Sequence, residues 1–210
     1  MQHGLIGYAG MVSSIMAIDA GGRAAAIVRV GANDPAAIGR ALDAGAVAVI
    51  VPLVNTVADA EAAVAACRHP PVGLRSYGPM RSALRVGPDP RDADAGVACV
   101  AMIETGTALE NVEAICAVPG LDGVYIGPSD LAIGIGAVRP GAVEGLPFEE
   151  SVARIRTAAD AAGIASGFHC ADGAAGKRRL AEGFTFVTIS SDLVHLEAVA
   201  RDHLAAVDLD

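Results

Sequence analysis

Short apolar runs alternate with longer stretches of helical periodicity along this chain, and that alternation predicts its elements. Runs with little or no polar interruption lie at residues 25–30, 47–51, 97–103 and 123–126. Shorter or more mixed ones lie at 72–75, 164–168 and 185–189. Continuous apolar runs of this kind suit strands buried on both faces of a parallel sheet. Helices are expected at about 9–20, 35–44, 57–67, 108–117, 149–162, 171–182 and 193–206. In the 149–162 segment Val152, Ile155 and Ala159 fall on one face. Punctuation agrees with these limits. Gly21-Gly22 and Gly45 end the first two helices, while Asp34 and Pro35 stand where a cap and a first helical residue belong. Three stretches read as loops: residues 1–8, the irregular 76–96, and the Gly/Pro-rich 137–147.

Strands and helices in strict alternation make an α/β fold of repeated βα units, forming one domain over residues 1–210. Seven strands are expected, and a closed (β/α)₈ TIM barrel needs eight. Because the chain opens with a loop and a helix, the expectation is such a barrel with its first strand missing.

Candidate chemistry is concentrated between residues 97 and 136. Two apolar strands there each lead into an acidic residue, Glu104 and Asp130, with one helix between them. Right-handed crossover puts both strand ends on the same edge of the sheet, where barrels of this type build their active sites. Two carboxylates converging there suit a hard divalent cation, Mg²⁺ or Mn²⁺. The plainer alternative is that both only cap helices or balance helix dipoles. Before Asp130 stand Gly127, Pro128 and Ser129, a turn whose backbone N–H groups can hold a carboxylate.

Arg29 interrupts an apolar strand, so it must be paired or must face a polar site, because an unpaired buried charge is costly. Anion binding or catalysis is expected there, with a structural ion pair as the alternative. His169, at the end of the strand IASGFH, is placed to line the same face. His3, by its position alone, is an incidental terminal histidine, and His69, His195 and His203 read as solvated. Arg75 and Arg81 flank Ser76-Tyr77-Gly78-Pro79 and form either a polar lid or a solvated loop. Lys177 is the only lysine and sits beside two arginines in a polar helical segment. Imine chemistry, which needs a desolvated lysine, is therefore not expected.

Composition narrows the partners. A net charge of −9 argues against nucleic acid, and no apolar run reaches the ~18 residues needed to span a membrane. Cys67, Cys99, Cys116 and Cys170 are scattered without a CxxC pair, which suits free thiols in a reducing cytoplasm, and no signal peptide is evident.

Six segments together carry a resemblance: QHGLIGY, IVRVGANDP, ALDAGAVAVIVPLVNT, ACRHPPVGLRSYGPMR, VAMIET and GLDGVYIGPSDLAIGIG. In that order they resemble the metal-dependent pyruvate aldolases of the 4-hydroxy-2-oxoheptanedioate aldolase family, which shares a superfamily with the citrate lyase beta subunit. The resemblance implies a barrel of the phosphoenolpyruvate/pyruvate type, with a first strand and an acidic residue ahead of the QHG motif that this chain lacks. It implies that Glu104 and Asp130 hold the divalent metal (Mg²⁺, Mn²⁺ or Co²⁺) and that Arg29 binds the keto oxygen of pyruvate. It gives His3 the acid/base role and the backbone around Gly127, Pro128 and Ser129 the pyruvate carboxylate. Met102 departs from it, standing where many relatives have a polar residue. The activity implied is cleavage of a 4-hydroxy-2-oxoacid to pyruvate and an aldehyde, and the reverse, in a homo-oligomer (trimer or hexamer). An acyl-CoA thioester lyase of the citrate lyase beta type and a catalytically impaired metal- or pyruvate-binding protein are the alternatives.

Overall fold

The computed structural model describes residues 1–137 and 147–207. The expected loop at 137–147 falls almost wholly outside the described residues. After α1 (Tyr8–Gly21) come β1 (Ile27–Arg29), α2 (Pro35–Asp43), β2 (Ala48–Val51) and α3 (Val57–Cys67). Two short helices, α4 (Ala83–Val86) and α5 (Pro90–Ala95), precede β3 (Ala98–Ile103). Next are α6 (Gly106–Glu110), α7 (Val112–Cys116), β4 (Gly123–Ile126), α8 (Pro128–Gly134) and α9 (Phe148–Ala162). The described chain closes with β5 (Ala165–Cys170), α10 (Gly173–Ala181), β6 (Phe186–Ile189) and α11 (Asp192–Ala205).

Six parallel strands in sequential order, β1 to β6, make one sheet that curls into a half-barrel. This corrects the expectation of a (β/α)₈ barrel lacking only its first strand. Among the described residues β1 and β6 are open edges rather than partners of one another. The strand expected at 72–75 does not form. Its N–H groups turn back to α3 and the residues after it: Leu74 N–H donates to Ala65 O at 2.7 Å and Arg75 N–H to Arg68 O at 2.8 Å. Val72 and Leu74 are each 76% exposed, so no sheet face buries them. With that segment out of the sheet, β2 pairs directly with β3, Ala48 opposite Ala98.

Local sequence accounts for the rest. Asp34 caps α2 by accepting from Ala37 N–H at 2.8 Å, with Pro35 in the first turn. Thr56 and Asp59 form a reciprocal capping box on α3. The single helix expected at 108–117 is divided at Asn111, whose side-chain amide donates to the Asn55 carbonyl at 2.9 Å. Gly22 ends α1 in the left-handed conformation, φ 65°, as the Gly21-Gly22 pair predicts.

Alternation along each strand separates two faces. Val28, Val49, Val51, Cys99, Ala101, Ile103, Val124, Ile126, Phe168 and Cys170 join the helices in one large core on the outer face. The inner face carries a small separate cluster of Ile50, Val100, Met102 and Tyr125, with Phe186 packed against it. All four cysteines are buried free thiols, and no described helix is long and apolar enough to cross a membrane.

Candidate active site

Glu104 follows the last residue of β3, and its side chain turns to the inner face at the C-terminal end of the strands. It is 1% exposed. Its Oε1 accepts the Leu53 N–H at 2.8 Å. Leu53 sits in the left-handed region at φ 55°, an uncommon conformation for a branched residue, and there its amide meets the carboxylate. The other oxygen, Oε2, is buried with no hydrogen-bond partner. Leaving a carboxylate oxygen in that state is costly unless something else satisfies it.

Gly127 lies across from this oxygen. A Cβ on Gly127 would come within 2.7 Å of Oε2 and 2.8 Å of the Met102 methyl, so only glycine leaves room. From Gly127 the chain enters α8, with Pro128 at its start and Asp130 in the first turn. No side chain caps this helix, which leaves its first N–H groups open. Asp130 is exposed at the rim and near enough for its charge to act on Glu104. The Glu104 carboxyl is held above the usual carboxylate range. Burial is the largest cause; the Leu53 N–H opposes it, Asp130 adds to it, and Arg29 opposes it again.

The fit to a divalent cation can be judged from these groups. One carboxylate oxygen is buried and orphaned, a second carboxylate stands nearby, and Gly127 leaves room for the Glu104 carboxylate to lie against the backbone. Hard oxygen donors of this kind suit Mg²⁺ or Mn²⁺, with the remaining positions open to water or substrate. Among the described residues no cluster of three or more His, Cys, Asp or Glu side chains forms a complete cage.

Arg29, at the end of β1, has no ion pair among the described residues, so the alternative of a structural salt bridge finds no partner. Its carbonyl accepts the amino terminus at 2.9 Å. Its charge acts on Glu104, Tyr125 and His169. In a flat sheet with strands ~4.8 Å apart, β1 and β5 would lie nearly 20 Å from one another. Curling of the sheet therefore turns Arg29 toward the side chains of β3, β4 and β5.

His169 was legible as an inner-face residue, but its partners were not. Its Nδ1 is 2.8 Å from Thr188 Oγ1, and that hydroxyl is 2.5 Å from the Tyr125 hydroxyl. Tyr125 stacks on Phe186, with ring centroids 5.9 Å apart. Burial, then the charge of Arg29, holds the His169 imidazole below the usual histidine range. A cleft of about 450 Å³ lies beside β5 and α10, lined in part by Pro128, Ser129, Phe168, His169, Cys170 and Arg179; Glu104, Gly127 and Arg29 do not line it.

Other expected residues fall elsewhere. His3 is exposed on the segment before α1 with no side-chain hydrogen bond among the described residues. His69 is not solvated: it is 5% exposed and bonds Asp94 at 2.7 Å. Arg75 and Arg81 form no lid over the site. They bind Asp43 and Asp19 respectively, at 2.8 and 3.2 Å, on helices that end at the opposite edge of the sheet. Lys177 is exposed on α10, away from the inner face.

Known proteins match this chain in sequence and fold. The family model described as HpcH/HpaI aldolase/citrate lyase matches residues 8–198. A hydroxypyruvate/pyruvate aldolase of Rhizorhabdus wittichii is 42% identical over 206 residues, covering 98% of this chain and 82% of the relative. A 4-hydroxy-2-oxovalerate aldolase of Rhodococcus jostii is 39% identical over 184 residues, covering 86% of this chain and 70% of the relative. Among solved structures, an HpcH/HpaI aldolase/citrate lyase family protein of Burkholderia cenocepacia superposes with a TM-score of 0.89 at 32% identity, over 99% of this chain and 83% of that one. With a family model matched over residues 8–198 and a relative 42% identical across 98% of its length, this chain belongs to the HpcH/HpaI aldolase/citrate lyase family.

Proposed function

We propose that the chain cleaves a 4-hydroxy-2-oxoacid to pyruvate and an aldehyde, and catalyses the reverse addition, with a divalent cation held by Glu104 and Asp130. Its relatives are named as aldolases, and the chain is an enzyme of that lyase type. The observation that carries the metal assignment is the buried, unpartnered Oε2 of Glu104, seated against Gly127 where any side chain would displace it. Mg²⁺ and Mn²⁺ suit these donors, and Co²⁺ is the third candidate. A bound divalent cation would supply Lewis-acid polarisation of the 2-oxo group.

The chain's own residues do the rest. Arg29, free of any paired carboxylate among the described residues, offers a planar fork of donors to the keto oxygen. It so stabilises the negative charge that develops there as the C3–C4 bond breaks. The uncapped N–H groups after Gly127, around Pro128 and Ser129, hold the substrate carboxylate. By family likeness His3 handles the proton of the C4 hydroxyl. Buried free thiols support a reducing compartment such as the cytoplasm. α11, which buries none of its residues against its own chain, supports a homo-oligomer, a trimer or hexamer by family likeness.

The acyl-CoA thioester reading draws less support, because most of the arginines it needs are ion-paired. Arg75 pairs with Asp43, Arg81 and Arg85 with Asp19, and Arg91 with Asp89. The aldolase reading is tested by measuring pyruvate release from 4-hydroxy-2-oxovalerate with Mn²⁺ or Mg²⁺ and with chelator. Metal-dependent release, unaffected by borohydride, is expected. Release that persists in chelator, or inactivation by borohydride with label on Lys177, would overturn it.

A further inference from the structure

We propose that Asn55 is a positioning residue of the divalent-cation site, fixing Leu53 so that its N–H holds one oxygen of Glu104 and leaves the other for the ion. The inference rests on the metal assignment proposed above and deepens it at the same site.

Leu53 holds a conformation that its own side chain does not account for. It sits at φ 55°, where a branched residue stays only when its surroundings impose it. Its side chain is 53% exposed, so packing does not impose it. A backbone contact on each side of its α-carbon does. The N–H donates to Glu104 Oε1 at 2.8 Å, and the carbonyl accepts from Asn55 Nδ2 at 3.1 Å. Together these hold both peptide planes that flank Leu53, and with them its two backbone dihedrals.

Asn55 is held in turn through all four of its polar atoms. Its N–H donates to Asp59 Oδ2 at 3.1 Å, beside the capping box that opens α3, and its carbonyl accepts from Asn111 Nδ2 at 2.9 Å. Its Oδ1 accepts from the Thr105 hydroxyl at 2.5 Å. Chemistry decides which end of the amide faces which partner. The Leu53 carbonyl can only accept, so the amide nitrogen must face it and the oxygen must face Thr105. Thr105 caps α6 by accepting the Ala108 N–H, which leaves its own O–H to donate to Asn55.

The same side chain thus joins the two loops that meet at Glu104. β2 and β3 are neighbours, with Val51 opposite Ala101, so the segments that follow them leave the sheet side by side. Asn55 ties Leu53, which bonds the Glu104 carboxylate, to Thr105, which follows Glu104 in the chain. With Oε1 on a fixed N–H, the carboxylate is kept in one orientation, its Oε2 unpartnered against Gly127. Groups that orient a metal's ligands in this way are worth about 10–100-fold in metal affinity. Asn55 has no part in the cleavage itself and acts only through Leu53 and Glu104.

Calorimetric Mn²⁺ titration of the full chain tests this. Asn55→Ala should weaken Mn²⁺ binding about tenfold, the lower end of what disturbing such support costs. Adding Leu53→Gly to Asn55→Ala should regain at least about threefold, because glycine occupies φ 55° without the steric cost of a Cβ. An asparagine that only stiffens the loop predicts the opposite, since a glycine there loosens it further. Thr105→Val, which removes the donor to Asn55, should also weaken binding, while Thr105→Ser, which keeps the hydroxyl, should stay close to wild type. That pair reads the same quantity if Asn55→Ala does not fold. Unchanged Mn²⁺ affinity in Asn55→Ala or in Thr105→Val would overturn the inference, as would a loss that Leu53→Gly fails to reduce. Absence of Mn²⁺ binding by wild type would instead overturn the metal assignment beneath it.

Discussion

The two faces of the same sheet have been put to different uses. On the outer face the strands contribute valine, isoleucine, alanine and cysteine, nearly all fully buried against helices. On the inner face the same strands contribute Arg29, Met102, Glu104, Tyr125, His169 and Thr188, with only a small apolar cluster at the base. Period-two alternation lets one strand serve both: Ile103 packs in the core and Glu104, its neighbour, faces the candidate site. The outer face supplies folding free energy through apolar burial. The inner face draws on that reserve, because it keeps a carboxylate oxygen buried and unpaired and a glycine where a side chain would pack better.

Substitutions on the inner face should cost activity first. Glu104→Gln or Asp130→Asn should lower cleavage by about 10²–10³-fold, the loss typical of removing electrostatic stabilisation at a developing charge. Pyruvate release at saturating Mn²⁺ checks this. A loss below tenfold would make the pair helix caps rather than ligands.

An outer-face truncation should show the reverse. Leu42 on α2 is fully buried in the main core. Leu42→Ala should cost about 2–5 kcal/mol of stability by the usual transfer and cavity terms, while kcat per folded molecule stays close to wild type. Denaturant unfolding alongside active-site titration separates the two quantities. A large fall in kcat of the folded fraction would show that the faces are coupled.

Gly127→Ala sharpens the contrast, because it adds one methyl to the inner face. That methyl would meet Glu104 Oε2 at 2.7 Å, so Mn²⁺ affinity should fall at least about tenfold, as when groups supporting a metal's ligands are disturbed. Stability should change by less than in Leu42→Ala. Calorimetric Mn²⁺ titration checks it, and unaltered affinity would remove Gly127 from the site.

The smallest effect is on pH. Without metal, the folded-state pKa of Glu104 lies above its unfolded value, chiefly through burial. The folded chain then binds more protons than the unfolded chain between those two values. Its stability is highest below the usual carboxylate range and declines as pH rises through the raised value. Glu104→Gln should abolish that decline, raising the metal-free thermal midpoint by a few degrees near neutral pH and little in acid. A midpoint equal to wild type at both pH values would contradict the shift.

How much of this was legible follows from the same contrast. Apolar runs located β2, β3 and β4 closely, because strands buried on the outer face leave a strong signal. Acidic residues after β3 and β4 pointed to the candidate site, since a carboxylate at the end of a buried strand has to be paired, solvated or put to use. The 72–75 run misled: Val72, Leu74 and their neighbours look like a short strand, and only the hydrogen bonds back to Ala65 and Arg68 reveal a turn at the end of α3. Counting that run and assuming closure turned an open six-stranded sheet into a nearly complete barrel. His69 looked solvated because its partner Asp94 is 25 residues away. The contacts of Tyr125 and Leu53 were equally invisible, since pairings over long sequence separations are set by the register of folded strands.

Direct binding of Mn²⁺ tests the central claim, that Glu104 and Asp130 form one divalent-cation site on the inner face. Electron paramagnetic resonance titration of wild type, Glu104→Gln and Asp130→Asn would count bound ions per chain. One tightly bound Mn²⁺ in wild type, lost or greatly weakened in each variant while all three remain folded, is the expected result. Undiminished binding in both variants would place the metal elsewhere and contradict the account.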